Sequence, residues 1–240
     1  MLIQYLKKYK VLPAKLLNEA LINFRKQLQQ QNYDFIVENH ILIKKRKYKN
    51  IDSIICDHEK LKKLVNIIIN MYQTYGLEFI SNLPIKICTS NNINADYAKY
   101  LSIDVNEDNP VKGFMARIFK DTNPSFVNLY YHRCYEIHID PTNSDLTNIL
   151  KHECGHVLLS DNLIRLPDKL EECLIEYMYH HYDKEDLMIN LETFNKMNDI
   201  SMEEDNCGFY PSGVSFIHYL YYNYFNSSVD IDKIYLEYCH

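Results

Sequence analysis

The feature that most constrains this chain is a short run of metal-binding residue types inside an apolar helical pattern. Leu146, Ile149, Leu150, Val157 and Leu158 recur at helical spacing, and Asn143 or Ser144 is placed to cap the helix they predict. Inside it lies His152-Glu153-Cys154-Gly155-His156, an HExxH sequence. At 3.6 residues per turn the two histidines project from one face, one turn apart. Two imidazoles so placed can bind one zinc ion, and Glu153 stands beside them as a proton acceptor. A chance HExxH in a chain with 10 His has a probability of roughly 0.03. An ordinary exposed histidine pair is the competing explanation. Gly155 weighs against it: a mid-helix glycine costs about 1 kcal/mol against alanine, and this chain has only 5 Gly. Close packing of another element at Gly155 is therefore expected. Cys154 points away from the imidazole face and reads as packing.

The frame around this helix reads as α+β. An amphipathic helix is predicted over 12–30, with Pro13 in its first turn, and a second over 58–75, stopped by Gly76. Residues 34–48 hold the β-rich stretches Phe35-Ile36-Val37 and Ile41-Leu42-Ile43, followed by a basic run at 44–49 that reads as a solvated strand edge. Short strands are expected at Pro84–Cys88, Phe114–Phe119, Phe126–Tyr131 and Tyr135–Ile139, with mostly helix from residue 143 onward. The expectation is a single domain over 1–240. Residues 1–85 form an N-terminal part of open role, and 86–240 a core that carries the chemistry.

Composition narrows the function classes. Lys+Arg 26 against Asp+Glu 32 gives a net charge of −6, which offers no general attraction to nucleic acid or anionic membrane. Seven cysteines without a CxxC pair argue for reduced thiols, not a disulfide framework. No secretory run opens the chain and no apolar stretch is long enough to span a bilayer. The expected setting is cytoplasmic, or secretion by a route without a classical signal peptide, and the expected state is a monomer.

Zinc needs a third protein ligand. The metzincin spacing would require Gly at 159 and His at 162, where the chain has Leu159 and Asn162. The next predicted helix carries Glu171, Glu172 and Glu176, with Glu172 and Glu176 one turn apart. Like charges at that spacing repel. Their juxtaposition makes sense if one binds metal and the other orients a ligand histidine. Two solvated glutamates are the alternative, and Glu171 is the member expected to face solvent.

HExxH followed on the next helix by Glu-x-x-x-Glu resembles the gluzincin pattern of thermolysin and the aminopeptidase N type. Leu166-Pro167-x-x-Leu170-x-Glu172-x-x-x-Glu176-Tyr177 is similar to the ligand-helix segment of peptidase MA-like gluzincins. Lys169, Cys173 and Ile175 depart from that segment's Trp, Gly and Ala. The resemblance implies a zincin fold, with a small twisted sheet above the HExxH helix and a helical C-terminal part. It implies one zinc per chain on His152, His156 and Glu172, with Glu176 behind a ligand histidine. It further implies peptide-bond hydrolysis by a zinc-activated water with Glu153 as general base.

Tyr210-Pro211-Ser212-Gly213 opens a block similar to the aminopeptidase segment whose tyrosine stabilises the transition state, which gives Tyr210 that role. A structural tyrosine is the alternative in a chain with 21 Tyr. Aminopeptidases of this type hold the substrate amine with a glutamate in a G-x-M-E-N segment. This chain reads Gly113-Phe114-Met115-Ala116-Arg117, which favours an endopeptidase. The strand Tyr135–Ile139 falls where gluzincins keep a substrate-pairing edge, so Tyr135 and Ile137 are expected to bind substrate. His180, His181 and His218 are weaker candidates, with His218 facing core or solvent. The expected partner is a peptide or protein substrate. The alternatives are a catalytically weak or inactive zincin-fold binding module, and a host-directed effector or toxin protease.

Overall fold

A computed structural model of the chain describes residues 1–36, 50–101, 111–119, 132–180, 183–196 and 209–239. The chain divides into two compact units, Met1–Ile43 with Ile164–His240, and Lys44–Leu163. The first 43 residues thus group with the C-terminal helices. The α+β class holds. Among the described residues no helix is long and apolar enough to cross a membrane.

The Lys44–Leu163 unit is built on a four-stranded sheet. Its elements are β1 (Ile54–Ile55), α3 (Glu59–Tyr72), β2 (Ile85–Thr89), α4 (Ile93–Leu101), β3 (Gly113–Phe119), β4 (His132–Ile139) and α5 (Leu146–Asp161). The strand order is β1-β2-β4-β3. β1 and β2 run parallel, as do β2 and β4, while β3 is antiparallel to β4. Parallel neighbours require a long crossover, and α3 provides the one between β1 and β2.

Side chains alternate across the strands. Ile85 and Ile87 on β2 and Tyr135, Ile137 and Ile139 on β4 are buried on one face. α5 lies across that face, against β3 and β4, and packs on α3. Phe114 and Ala116 point the other way, into a cluster with Ile93 and Tyr97 of α4. Gly113 sits where α5 comes closest. A Cβ there would meet the Ile149 Cγ2 at 2.5 Å and the His138 carbonyl oxygen at 3.2 Å. Glycine is needed at that point for the sheet to meet the helix.

In the unit of Met1–Ile43 and Ile164–His240 the regular elements among the described residues are all helices. It contains α1 (Leu2–Tyr9), α2 (Ala14–Gln29), α6 (Asp168–Tyr179), α7 (Lys184–Lys196), α8 (Phe209–Asn223) and α9 (Ile231–Cys239). α2 buries Leu16, Ala20, Phe24 and Leu28 at helical spacing. Phe24 is the centre of an aromatic group, with ring centroids 5.4 Å from Phe216, 5.2 Å from Tyr219 and 5.5 Å from Phe35. Fully burying one such ring contributes about 1.5–3 kcal/mol. α8 is buried from Val214 to Leu220 and packs along α6. There the buried His218 ring meets Tyr177 edge-on at 4.9 Å.

Several expectations are revised. Pro13 is the N-cap of α2 and lies just before its first turn. Phe35 and Ile36 are buried but lie in a turn, not a strand. Val37, the stretch 41–43, the basic run 44–49 and the expected strand at 126–131 lie outside the described residues. Asp145, not Asn143 or Ser144, is the N-cap of α5; Asn143 instead accepts the Asp145 N–H through its side chain. The six described cysteines are all free thiols.

Gly113→Ala is expected to destabilise the chain by about 1–3 kcal/mol through overpacking against Ile149. In urea unfolding, Gly113→Ala with Ile149→Ala should cost less than the sum of the two single changes. Burial pushes the His218 imidazole down to about 4 from 6.5. Above pH 6.5 the folded and unfolded states are both neutral there, and the contribution to stability is intact. As pH falls from 6.5 to 4, the unfolded chain takes up a proton that the folded chain refuses, so stability drops by roughly 3 kcal/mol. Below pH 4 the effect levels off. His218→Phe should lose that part of the acid slope, read from unfolding free energies at pH 7 and pH 4.

Candidate metal centre

α5 is enclosed almost completely. From Glu153 to Asn162 every residue except His156 is buried, and His152 and His156 are both half-buried. A helix apolar on every side belongs in an interior. The imidazoles are the half-buried break in that enclosure. Their rings stand edge-to-face, centroids 4.9 Å apart and planes at 72°. The two Nε2 atoms face each other at 3.2 Å.

That separation tests whether zinc fits. Ligand atoms held by bonds of about 2.0–2.1 Å at the tetrahedral angle stand about 3.3 Å apart. The imidazole pair has a spacing that two ligands of a tetrahedral ion take, and that a hydrogen bond shared between the rings takes as well. Glu153, the next residue after His152, is buried. Cys154 is fully buried, and desolvation pushes its thiol far above the usual range, as the packing assignment requires. Gly155 is buried, consistent with the close packing expected around it.

Polar anchors fix the axial position of α5. The Tyr72 hydroxyl donates to the Lys151 carbonyl at 2.7 Å, one residue before His152. At the far end, the Asn162 amide donates to the carbonyls of Leu158 and Glu78, both at 2.9 Å. Asp161, also buried, accepts the N–H groups of Ile80 and Ser81 on one oxygen and the Tyr135 hydroxyl on the other. A buried carboxylate that accepts three donors is satisfied where it sits. Asn162, at the position where a metzincin would keep a histidine ligand, closes the helix instead.

Glu172 and Glu176 lie on α6, in the other unit. Pro167 is the N-cap of that helix, and Leu170, Cys173, Leu174, Ile175 and Met178 form its buried face. Glu172 and Glu176 are half-buried side by side, and the Tyr179 hydroxyl donates to Glu176. Glu171 is half-buried too. Tyr210 falls in the first turn of α8, and its side chain lies outside the described residues. His181 also lies outside them. His180 caps the C-terminus of α6, and His218 faces the core.

The free-edge premise behind the substrate-binding expectation for Tyr135 and Ile137 does not hold in this sheet. β4 is paired on both sides, by β2 and by β3, so it has no free edge for an added strand. Tyr135 is 1% exposed and Ile137 0%. Both belong to the sheet face under α5.

No protein-family model, curated protein or solved structure matches this chain.

A second group of donors escaped the sequence reading. Cys88 on β2 and Glu136 and His138 on β4 offer ligand atoms that all lie within 4.8 Å of one another, each residue half-buried. They project from the sheet face opposite α5. Burial, with help from Glu136, pushes the Cys88 thiol up to about 11, so it is neutral at physiological pH without a cation. The only sequence signal was alternation: Lys86 and Cys88, and Cys134, Glu136 and His138, occupy alternate positions on two strands.

Asp161→Ala is expected to destabilise the chain by about 1–3 kcal/mol, because it leaves the buried Tyr135 hydroxyl without its acceptor and removes the acceptor of two loop N–H groups. Hydrogen exchange should quicken at the Ile80 and Ser81 amides in the same variant.

Proposed function

We propose that the chain is a zinc-dependent peptidase of the gluzincin type, with a zincin fold and endopeptidase action. The observation that carries this reading is the pair of Nε2 atoms 3.2 Å apart on a buried helix, with Glu153 beside them in an HExxH order. His152, His156 and Glu172 would hold the zinc, with Glu176 positioning a ligand histidine. Bound there, zinc supplies Lewis acidity and lowers the pKa of water toward neutrality.

This chain's own residues would carry the proton traffic. Glu153 accepts a proton from the attacking water and delivers it to the leaving amine. Tyr210 donates a hydrogen bond to the oxyanion that develops on the peptide carbonyl. In the segment Gly113-Phe114-Met115-Ala116-Arg117, Ala116 stands where the resembled aminopeptidases have their amine-binding glutamate, and that residue choice supports cleavage within a chain. The substrate is a peptide or protein segment.

Zinc content and cleavage of a peptide library test the proposal together. Glu153→Gln should keep the same zinc content as the wild type while cleavage falls about 10²–10⁴-fold, the usual contribution of a general base. His152→Ala with His156→Ala should lose one equivalent of zinc and all cleavage. A Glu153→Gln protein as active as the wild type would end the peptidase reading. Zinc bound without cleavage by the wild type would leave a binding module.

A further inference from the structure

We propose that Cys88, Glu136 and His138 form a second site for a divalent transition ion of the zinc and cobalt class, on the sheet face opposite the HExxH helix. Their ligand atoms already converge within 4.8 Å. The register explains why. β2 and β4 run parallel with Cys88 directly opposite His138, and Glu136 lies two residues back on the same face of β4. The three donors therefore sit on adjacent positions of one pleated surface.

The supporting groups are in place as well. Phe114 of β3 stacks flat on the His138 ring, centroids 4.5 Å apart and planes at 3°, and fixes the plane of the imidazole. The Lys86 ammonium donates to the Glu136 Oε1 at 3.3 Å, which leaves Oε2 to face the His138 Nε2, also at 3.3 Å. That is again the separation of two ligand atoms on a tetrahedral ion, about 3.3 Å. Carboxylate ligands of metal sites are commonly held by such an outer hydrogen bond.

One thiolate, one imidazole and one carboxylate are a borderline donor set, suited to zinc or cobalt and poor for magnesium or calcium. An ion there would tie β2 to β4 across the sheet. The competing arrangement is a plain Lys86–Glu136–His138 hydrogen-bonded chain with Cys88 as a bystander. It needs no metal and places no sulfur in a coordination sphere.

Cobalt(II) titration of the full chain separates the two. Sulfur bound to cobalt gives an ultraviolet charge-transfer band that nitrogen and oxygen ligands do not. The wild type is expected to show this band, and Cys88→Ser to lose it together with one equivalent of bound cobalt. The variant carrying His152→Ala and His156→Ala should keep the band, and its melting temperature should rise when cobalt is added. A wild type without the band, or a band that survives Cys88→Ser, overturns the second site. Because the His152/His156 variant reads this site alone, failure of the peptidase proposal would leave the outcome intact.

Discussion

Two imidazole Nε2 atoms 3.2 Å apart cannot both present a proton to each other. Either one hydrogen is shared between them, or both lone pairs turn toward one cation. Each half-buried ring gives up part of its hydration, and a polar group removed from water needs a partner of comparable strength. A divalent ion held as proposed would satisfy both rings at once, and the Nε2 separation of 3.2 Å is close to the spacing its ligands take. The spacing follows from backbone geometry, since residues four apart on a helix share a face. The helix therefore brings the two rings together by itself.

A pair of ligands is useful only if the helix cannot slide or turn. α5 is held from several directions by groups that would be costly to leave unpaired. The Tyr72 hydroxyl grips the carbonyl of Lys151, next to His152. Asp161 and Asn162 fix the other end through the 78–81 segment and Tyr135. Gly113 removes the one Cβ that would push the sheet away from Ile149. The rigidity comes from a few satisfied polar groups inside an otherwise apolar interface.

Much of the helical framework was legible in the sequence. α2, α3 and α5 announce themselves through apolar residues at a 3.6-residue period, and Gly76 stops its helix in the left-handed conformation, at φ 84°. α1 and α4 were not read, because each is short and buries few side chains; α1 hides only Leu2, Tyr5 and Leu6. The cap of α5 moved to Asp145 because three neighbouring polar residues can all serve, and only the local turn chooses among them. The strand expected at Tyr135–Ile139 is present, but its reading as a free edge failed for a deeper reason. Its alternation of Tyr135, Ile137 and Ile139 with Glu136 and His138 looks like a strand with one face in water. Alternation reports which face of a strand is apolar. It is silent on whether both edges are paired, and strand order is decided by partners far away in the chain.

The same distinction separates the two donor groups. His152 and His156 lie on a single helix, so their approach is a local property and a five-residue string reveals it. Cys88 and His138 stand fifty positions apart and meet only through the parallel register of β2 and β4. No string records that register; it emerges when Ile85 and Ile87 are buried with Tyr135 and Ile137, which forces Cys88, Glu136 and His138 onto the opposite face together. Moving either strand by one residue would turn its apolar side chains out of the interior and scatter the donors in the same step. The burial of one face thus protects the arrangement of the other, and whatever that second face binds inherits its geometry from the core beneath it.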